Sequence, residues 1–280
     1  METKLLFRRI KQFLYNTLYT IYWLVYLVLK TDCKTHIPVI RRAEKLIILA
    51  NGPSLKENIN EIVFKGKDIS VLNDFYKSPW FKTLKPKYYV LADPMYFLNE
   101  GFFISFTKEV DWNMFLYIPF YYWKKLDIFR NMNYTHIKVI PYHFENFKGF
   151  SCLKYYLYKK GLCMPKVQNV LVASIFTGIN MGYKEIYLYG ADHSWTKTLG
   201  VNNENEVCAV DSHFYDTDKP SFSPYWKNPA TREQYKMHEL LRDFAYMFES
   251  YHELRCYADS LGSKIVNMTK NSFIDAFERA

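Results

Sequence analysis

Leu46-Ile47-Ile48-Leu49-Ala50-Asn51-Gly52-Pro53-Ser54-Leu55 is the stretch whose reading decides the fold. Five apolar residues stop abruptly at Asn51-Gly52-Pro53-Ser54, and a polar, helix-compatible segment follows. The pattern predicts a buried strand, a tight turn, and a helix whose first free amides are capped by Ser54. In doubly wound α/β folds such a turn lies at the carboxyl edge of the sheet, where nucleotides dock. Gly52 lets backbone approach a ligand, Pro53 fixes the turn, and Asn51 offers both a donor and an acceptor. Taken alone, Asn-Gly-Pro-Ser is also an ordinary turn, so the rest of the chain must decide.

Downstream, strand and helix signals alternate. Apolar runs recur at Ile69–Leu72, Tyr88–Ala92, Phe115–Ile118, Ile137–Pro141 and Glu185–Tyr189, with helix-like stretches among them. This alternation predicts an α/β fold, a doubly wound and mostly parallel sheet of the Rossmann-like kind, with helices on both faces. Three further strand ends carry ligand-type residues: Asn73-Asp74, Asp93-Pro94, and Gly190-Ala191-Asp192-His193-Ser194. With Asn51, that makes four polar endings at carboxyl tips, the arrangement a nucleotide cleft requires. The segment from Cys163 to Met181 reads as a loop and then a helix from Val170, with Gly182 as its C-terminal stop.

Composition narrows the class. The 280 residues suffice for one large domain with a substantial core. Aromatics make up 19% of the chain against only 10 glycines, which excludes a disordered polymer. The five cysteines, Cys33, Cys152, Cys163, Cys208 and Cys256, are odd in number and form no Cys-x-x-Cys pair. That argues for a reducing compartment and against a disulfide scaffold or zinc site. The net charge of +9 is scattered, with no basic block long enough for a nucleic-acid arm. It suits an anionic small molecule or a membrane surface.

The N-terminus has its own pattern. Lys4, Arg8, Arg9 and Lys11 precede an uncharged run from Phe13 to Leu29. As a helix this run spans roughly 25 Å, short of the ~30 Å hydrocarbon core. Tyr15, Tyr19, Tyr22 and Tyr26 share one face, Trp23 adds an interfacial ring, and no small-residue cleavage site follows. We read residues 1–32 as a basic and aromatic helix lying in the cytoplasmic membrane interface; a spanning helix and a helix packed on the domain are the alternatives. Residues 33–280 form the nucleotide-binding domain.

Residues 196–230 are rich in Asn, Asp, Ser and Pro and too long for a routine connection, which suggests a lid or acceptor-binding loop. Thr231-Arg-Glu-Gln234 resembles a capping box opening a helix to about Ser250. Met237, Leu240, Leu241, Phe244, Met247 and Phe248 form its apolar stripe. Tyr235 and His238 lie off that stripe on one side, facing solvent or a cleft. A last strand, Lys264–Met268, and a short helix from Asn271-Ser272 close the chain. Asp216-Thr217-Asp218 is a metal-type Asp-x-Asp, but no strand precedes it.

In this order the motifs resemble the bacterial sialyltransferases of glycosyltransferase family 42, which use CMP-activated sialic acid. Flagellin nonulosonic-acid transferases and pterin pyrophosphokinase-like proteins belong to the same superfamily. The resemblance rests on Ile-Leu-Ala-Asn51-Gly-Pro-Ser-Leu, Leu72-Asn73, Ala92-Asp93-Pro94, Gly182-Tyr-Lys-Glu-Ile-Tyr-Leu-Tyr-Gly190-Ala-Asp192, Tyr235-Lys-Met-His238 and Asn271-Ser272-Phe-Ile. It covers about residues 44–278 and implies a GT-A-variant sialyltransferase fold. It further implies that Asn51, Asn73 and Asp93, with Gly52, Pro53, Ser54, Asp74 and Asn169, hold the phosphate, ribose and sugar of a CMP-sugar. Asp192 would sit beneath the nucleotide beside Gly190, His193 and Ser194. His238, with Tyr235, would take the acceptor hydroxyl proton, as a neutral imidazole can near pH 7. No metal and no cofactor are implied, since a phosphate monoester leaves with hydrogen-bond or cationic help.

The sequence departs from the family at the donor site. Ser194 stands where a leaving-group tyrosine is expected, Gln168-Asn169-Val170-Leu171 replaces a Thr-Ser-Gly turn, and Asp93 replaces an asparagine. His193, Tyr215 or Tyr225 are the candidates to supply the missing donors. The expectation is a transferase peripheral to the cytoplasmic face of the inner membrane, moving a sialic-acid-like sugar to a glycan or glycolipid acceptor of lipopolysaccharide or capsule. The composition leaves room for a homo-oligomer. The rivals are an ATP- and Mg²⁺-dependent pterin-type diphosphokinase, for which no P-loop exists, and a non-catalytic glycan-binding protein.

Overall fold

The computed structural model describes residues 2–30, 36–98, 100–131, 135–217, 219–228 and 231–280. Cys33, Asp218 and Pro229 therefore lie outside the described residues. Six strands alternate with helices: β1 Lys45–Leu49, β2 Asp68–Leu72, β3 Tyr88–Val90, β4 Met114–Pro119, β5 Ile137–Tyr142 and β6 Glu185–Tyr189. The polar stretch holds β7 Gly200–Val201, β8 Val207–Val210, β9 Phe222–Pro224, β10 Trp226–Asn228 and β11 Glu233–Gln234. β12 Lys264–Asn267 and β13 Glu278–Arg279 follow the long helix Met237–Ser260.

The main sheet has the order β13-β12-β6-β1-β2-β3-β4-β5, and all its pairings are parallel. The chain therefore winds outward from β1 to β5, then crosses back so that β6 lies on the other flank of β1. That reversal puts the topological switch point between β1 and β6, and a crevice opens beyond their carboxyl ends.

Strand alternation builds a core on each face. Leu46 and Ile48 turn to one side with Ile186 and Leu188, while Ile47 and Leu49 turn to the other with Val71 and Leu116. On the first side lies the helix Val170–Asn180, in which every residue from Val170 to Ile179 is buried. Such a helix has no solvent face to anchor its rotation, so its polar groups must be paired. Ser174 meets the Ser70 hydroxyl at 3.3 Å and Thr177 donates to the Ser174 carbonyl at 2.9 Å. Gly182, at φ +84°, ends this helix as the sequence suggests.

Three local readings are corrected. The helix expected from Thr231 starts at Met237, because Glu233–Gln234 pairs antiparallel with Trp226–Asn228 and Arg232 turns at φ +53°. Its cap is Lys236, whose amide donates to the Glu239 carboxylate at 3.1 Å, and it runs past Ser250 because Tyr251, Leu254, Tyr257 and Ala258 continue the buried stripe. No helix forms at Asn271-Ser272. Asn271 takes a left-handed φ of +57°, and the Ser272 hydroxyl donates to the Ala191 carbonyl at 2.6 Å, which braces the β6 tip. The polar stretch 196–230 is also more ordered than a bare loop: β7, β8 and β9 form an antiparallel sheet.

The N-terminal helix Glu2–Lys30 docks one face on the segment after β5. Trp23 and Leu27 are buried in the core, the Trp23 ring meets Phe147 edge-on at 5.4 Å, and the Tyr26 hydroxyl donates to Glu145 at 3.2 Å. The four tyrosines therefore divide, with Tyr19 and Tyr26 on the domain and Tyr15 and Tyr22 exposed. Leu14, Leu18, Ile21, Leu24 and Val25 stay exposed. Among the described residues no helix is long and apolar enough to cross a membrane.

Candidate active site

The site begins where β1 and β6 end side by side. The Ala50 amide donates to the Tyr189 carbonyl at 2.8 Å, and the Gly52 amide to the Gly190 carbonyl at 2.9 Å. The two turns are so close that a Cβ on Gly52 would stand 2.0 Å from Asp192 Oδ2 and 2.5 Å from the Gly190 oxygen. Gly190 itself is left-handed at φ +67° with the Ala50 oxygen against it. Glycine at both positions is thus a packing requirement.

Ser54 does not cap the helix that follows it. Its hydroxyl donates to Asp192 Oδ2 at 2.8 Å and its amide to Oδ1 at 3.3 Å, clamping the first turn to the sixth strand tip. Burial pushes the Asp192 carboxyl up, and these two donors oppose that rise. The Phe273 amide donates to the Asp192 carbonyl at 2.9 Å from the other side.

Asn51 Nδ2 donates to the Leu72 carbonyl at 3.1 Å, while its Oδ1 is buried without a hydrogen-bond partner among the described residues. A buried acceptor left empty costs about 1–3 kcal/mol, so it marks a place for a ligand or water donor. Asn73 sits at φ +42°, with Oδ1 near the Ala92 amide at 3.4 Å. Asp93 caps the turn Pro94–Phe97 by accepting from the Met95 amide at 2.9 Å. Asn169 caps the buried helix by accepting from the Leu171 amide at 2.8 Å.

Two cavities open around these groups. One, of about 230 Å³, is lined by Asn51, Gly52, Pro53, Asn73, Asn169, Gly190, Asp192, His193 and Ser194. The second, of about 580 Å³, is lined by Asn73, Asp93, Asn169, Gln168, Tyr225 and Tyr235 among others. They share Asn73, Asn169 and Val170, so one wall common to both is the N-terminus of the buried helix. Its positive dipole end favours an anion there.

Most expected site residues are gathered here, and two are not. Asp74 turns away, accepting from Tyr96 at 2.6 Å and Lys77 at 2.9 Å. His238 is exposed on the first turn of its helix and lines neither cavity. Tyr235 does line the larger cavity; its hydroxyl donates to Asp243 at 3.1 Å, and burial with that bond pushes its pKa up to about 12. Asp243 also accepts from Gln168 at 2.6 Å, joining the long helix to the Asn169 cap. Of the proposed substitutes for the absent tyrosine, His193 lines the smaller cavity and Tyr225 the larger. Tyr215 lines neither; its ring stacks on His213, which does line the smaller cavity.

Sequence reasoning missed Trp195, Lys197 and Asp211 in the smaller cavity and Trp226 and Lys227 in the larger. Trp195 at the edge of the polar stretch and Trp226 within it were the available signal, since a solvated loop has no need of them. The strand β8 carries Asp211 to the cavity because the Phe214 amide, just beyond it, donates to the Asn51 carbonyl at 3.1 Å. Asp216 is held locally, accepting from the His213 amide at 2.6 Å. Among the described residues no group of three His, Cys, Asp or Glu is placed to hold a metal ion.

No known protein family matches the sequence, and no curated protein does. Solved structures do resemble the fold. The sialyltransferase CstII from Campylobacter jejuni, in complex with the substrate analogue CMP-3FNeuAc, is 17% identical over 84% of this chain and 85% of its own, with a TM-score of 0.47. The monofunctional α-2,3-sialyltransferase Cst-I from Campylobacter jejuni is 18% identical over 86% and 81%, with a TM-score of 0.48. The MAf glycosyltransferase from Magnetospirillum magneticum AMB-1 is 12% identical over 88% of this chain and 35% of its own, also at 0.48.

Proposed function

We propose that this protein is a glycosyltransferase that takes a sialic-acid-like sugar from a CMP-activated donor and passes it to a membrane-borne glycan acceptor. One observation carries this reading: two adjoining cavities at the switch point share the helix N-terminus at Asn169, with the empty Oδ1 of Asn51 beside them. A nucleotide fits the smaller cavity, the sugar the larger, and the phosphate between them the dipole end. Asn51 Oδ1 accepts from a nucleotide donor group, and Asn73 and Asp93 hold sugar hydroxyls.

In the reaction an acceptor oxygen forms a bond to the anomeric carbon as the bond from that carbon to the phosphate oxygen breaks. The electron pair leaves with CMP, and the acceptor proton passes to His238, three residues beyond the cavity-lining Tyr235. Tyr225 and Tyr235 line the cavity in which negative charge develops on the departing phosphate. The reaction proposed uses no metal, the charge on the departing phosphate being offset by hydrogen-bond donors and the helix dipole. The N-terminal helix brings the domain to anionic lipid, with Lys4, Arg8, Arg9 and Lys11 and the exposed Leu14, Leu18, Ile21, Leu24 and Val25 on its free surface. Lipopolysaccharide or capsule precursors are acceptors of the required kind.

Release of CMP from a panel of CMP-activated nonulosonic acids, measured in EDTA with a bacterial glycolipid extract as acceptor, tests the reading. Acceptor-dependent CMP release is expected. Turnover that vanishes on chelation and returns with Mn²⁺, or pyrophosphate transfer from ATP and Mg²⁺ instead, overturns it.

A further inference from the structure

His193 is an unusual residue for its position. It follows Asp192 at the β6 tip with a left-handed φ of +54°, a conformation uncommon outside glycine. It is only 6% exposed, yet it lines the smaller cavity. Its Nε2 lies 2.6 Å from the hydroxyl of Tyr251, a fully buried residue on the long helix. The imidazole ring also meets Trp195 at 4.8 Å and Phe248 at 6.5 Å, and Tyr251 packs against Phe277 at 5.8 Å. The pair is enclosed in aromatic surface.

Hydrogen-bond accounting decides which partner donates. Among the described residues Tyr251 has no other acceptor for its phenolic proton. If Nε2 carried the imidazole proton and donated to the phenol, that phenolic O–H would be buried with nowhere to go. If Tyr251 donates to an unprotonated Nε2, the phenol is satisfied and the ring proton sits on Nδ1, which bonds to nothing else among the described residues. Nδ1 is not fully buried, on a residue that lines the smaller cavity, so the second arrangement leaves no fully buried donor unmatched. Burial also holds the imidazole neutral, by penalising the charged form.

We infer that Tyr251 is a positioning residue that locks His193 as the neutral Nδ1–H tautomer, and that His193 Nδ1–H is a hydrogen-bond donor to a phosphate oxygen of the bound nucleotide. The choice of phosphate as acceptor rests on the CMP-donor function proposed above; the tautomer does not.

Histidine-selective ¹⁵N NMR on the full chain tests this, with the His193 signal assigned by its loss in His193→Asn, a residue that tolerates left-handed backbone. Without ligand, His193 is expected as the Nδ1–H tautomer; an Nε2–H tautomer overturns the inference whatever the protein does. Titration then compares CMP with cytidine. CMP is expected to shift the His193 Nδ1–H signal and cytidine to leave it, and His193→Asn is expected to weaken CMP roughly tenfold with cytidine affinity unchanged. A CMP complex that leaves the signal unmoved overturns the phosphate contact and leaves the transferase reading standing. If CMP does not bind, that reading fails, and the phosphate contact fails with it, while the tautomer is judged on the unliganded spectrum. Should His193→Asn not fold, Tyr251→Phe, which removes only a hydroxyl, identifies the same signal by its shift.

Discussion

Replacing Gly52 by alanine should dismantle the crevice at the switch point. The added methyl would lie 2.0 Å from Asp192 Oδ2, 2.8 Å from Asp192 Cγ and 2.5 Å from the Gly190 carbonyl oxygen. The carboxylate can swing aside only by releasing the Ser54 hydroxyl and amide. The Gly190 carbonyl cannot, because it already accepts from the Gly52 amide. Overpacking costs about 1–3 kcal/mol and each of the two lost hydrogen bonds about 1, so the sum is roughly 3–5 kcal/mol. For a chain of this size that corresponds to a fall in Tm of roughly 10 °C. Gly66→Ala is the control: Gly66 is left-handed at φ +75°, but nothing lies within 4 Å of its would-be Cβ. Only backbone strain of about 1–2 kcal/mol is expected there, with CMP binding intact. Calorimetric unfolding of both variants, with CMP titrated into each, makes the comparison. A Gly52→Ala protein that melts within about 2 °C of wild type and still binds CMP would refute the packing argument.

Three further outcomes are expected. His238→Ala should fold and bind CMP normally but lose transfer by roughly a hundredfold, with His213→Ala nearly silent; the reverse result would place the base in the smaller cavity. Exchanging Leu14, Leu18, Ile21 and Leu24 for serine should release the protein from anionic vesicles without lowering Tm, whereas Trp23→Ala should cost about 3–5 kcal/mol because that ring is buried against Phe147. Burial lowers the His193 pKa from 6.5 to about 3, so between those values the unfolded chain holds a proton that the native state lacks. Its contribution is complete above pH 6.5 and declines as pH falls, by about 1.4 kcal/mol per pH unit, and His193→Asn should flatten that part of the acid-unfolding profile.

The sheet was legible in the sequence because each strand is a short apolar run bounded by turn residues, and parallel strands buried on both faces leave that mark most clearly. Asn51, Gly52 and Asp192 were readable because they fall at the ends of such runs, and Asn169 because it stands before the helix at Val170 in the family resemblance. The local errors share a cause. Thr231-Arg-Glu-Gln234 has the residues of a capping box, but its backbone is claimed by strand pairing with Trp226–Asn228, which no local pattern reveals. Ser54 and Asn271-Ser272 look like helix starts, yet their hydroxyls are spent on Asp192 and Ala191, contacts separated by 138 and 81 positions. Trp195, Lys197 and Trp226 reach the cavities through the fold of the polar stretch, and sequence spacing carries no record of that path.

Titration of CMP against ATP with Mg²⁺, by calorimetry on the full chain and on Asn51→Leu, tests the central claim most directly. The expected result is CMP binding by the native chain, no comparable heat from ATP and Mg²⁺, and loss of CMP binding in Asn51→Leu, which keeps the branched shape while removing the empty buried Oδ1 and the Nδ2 donor to Leu72. Tighter binding of ATP with Mg²⁺ than of CMP, or CMP binding untouched by Asn51→Leu, would contradict it.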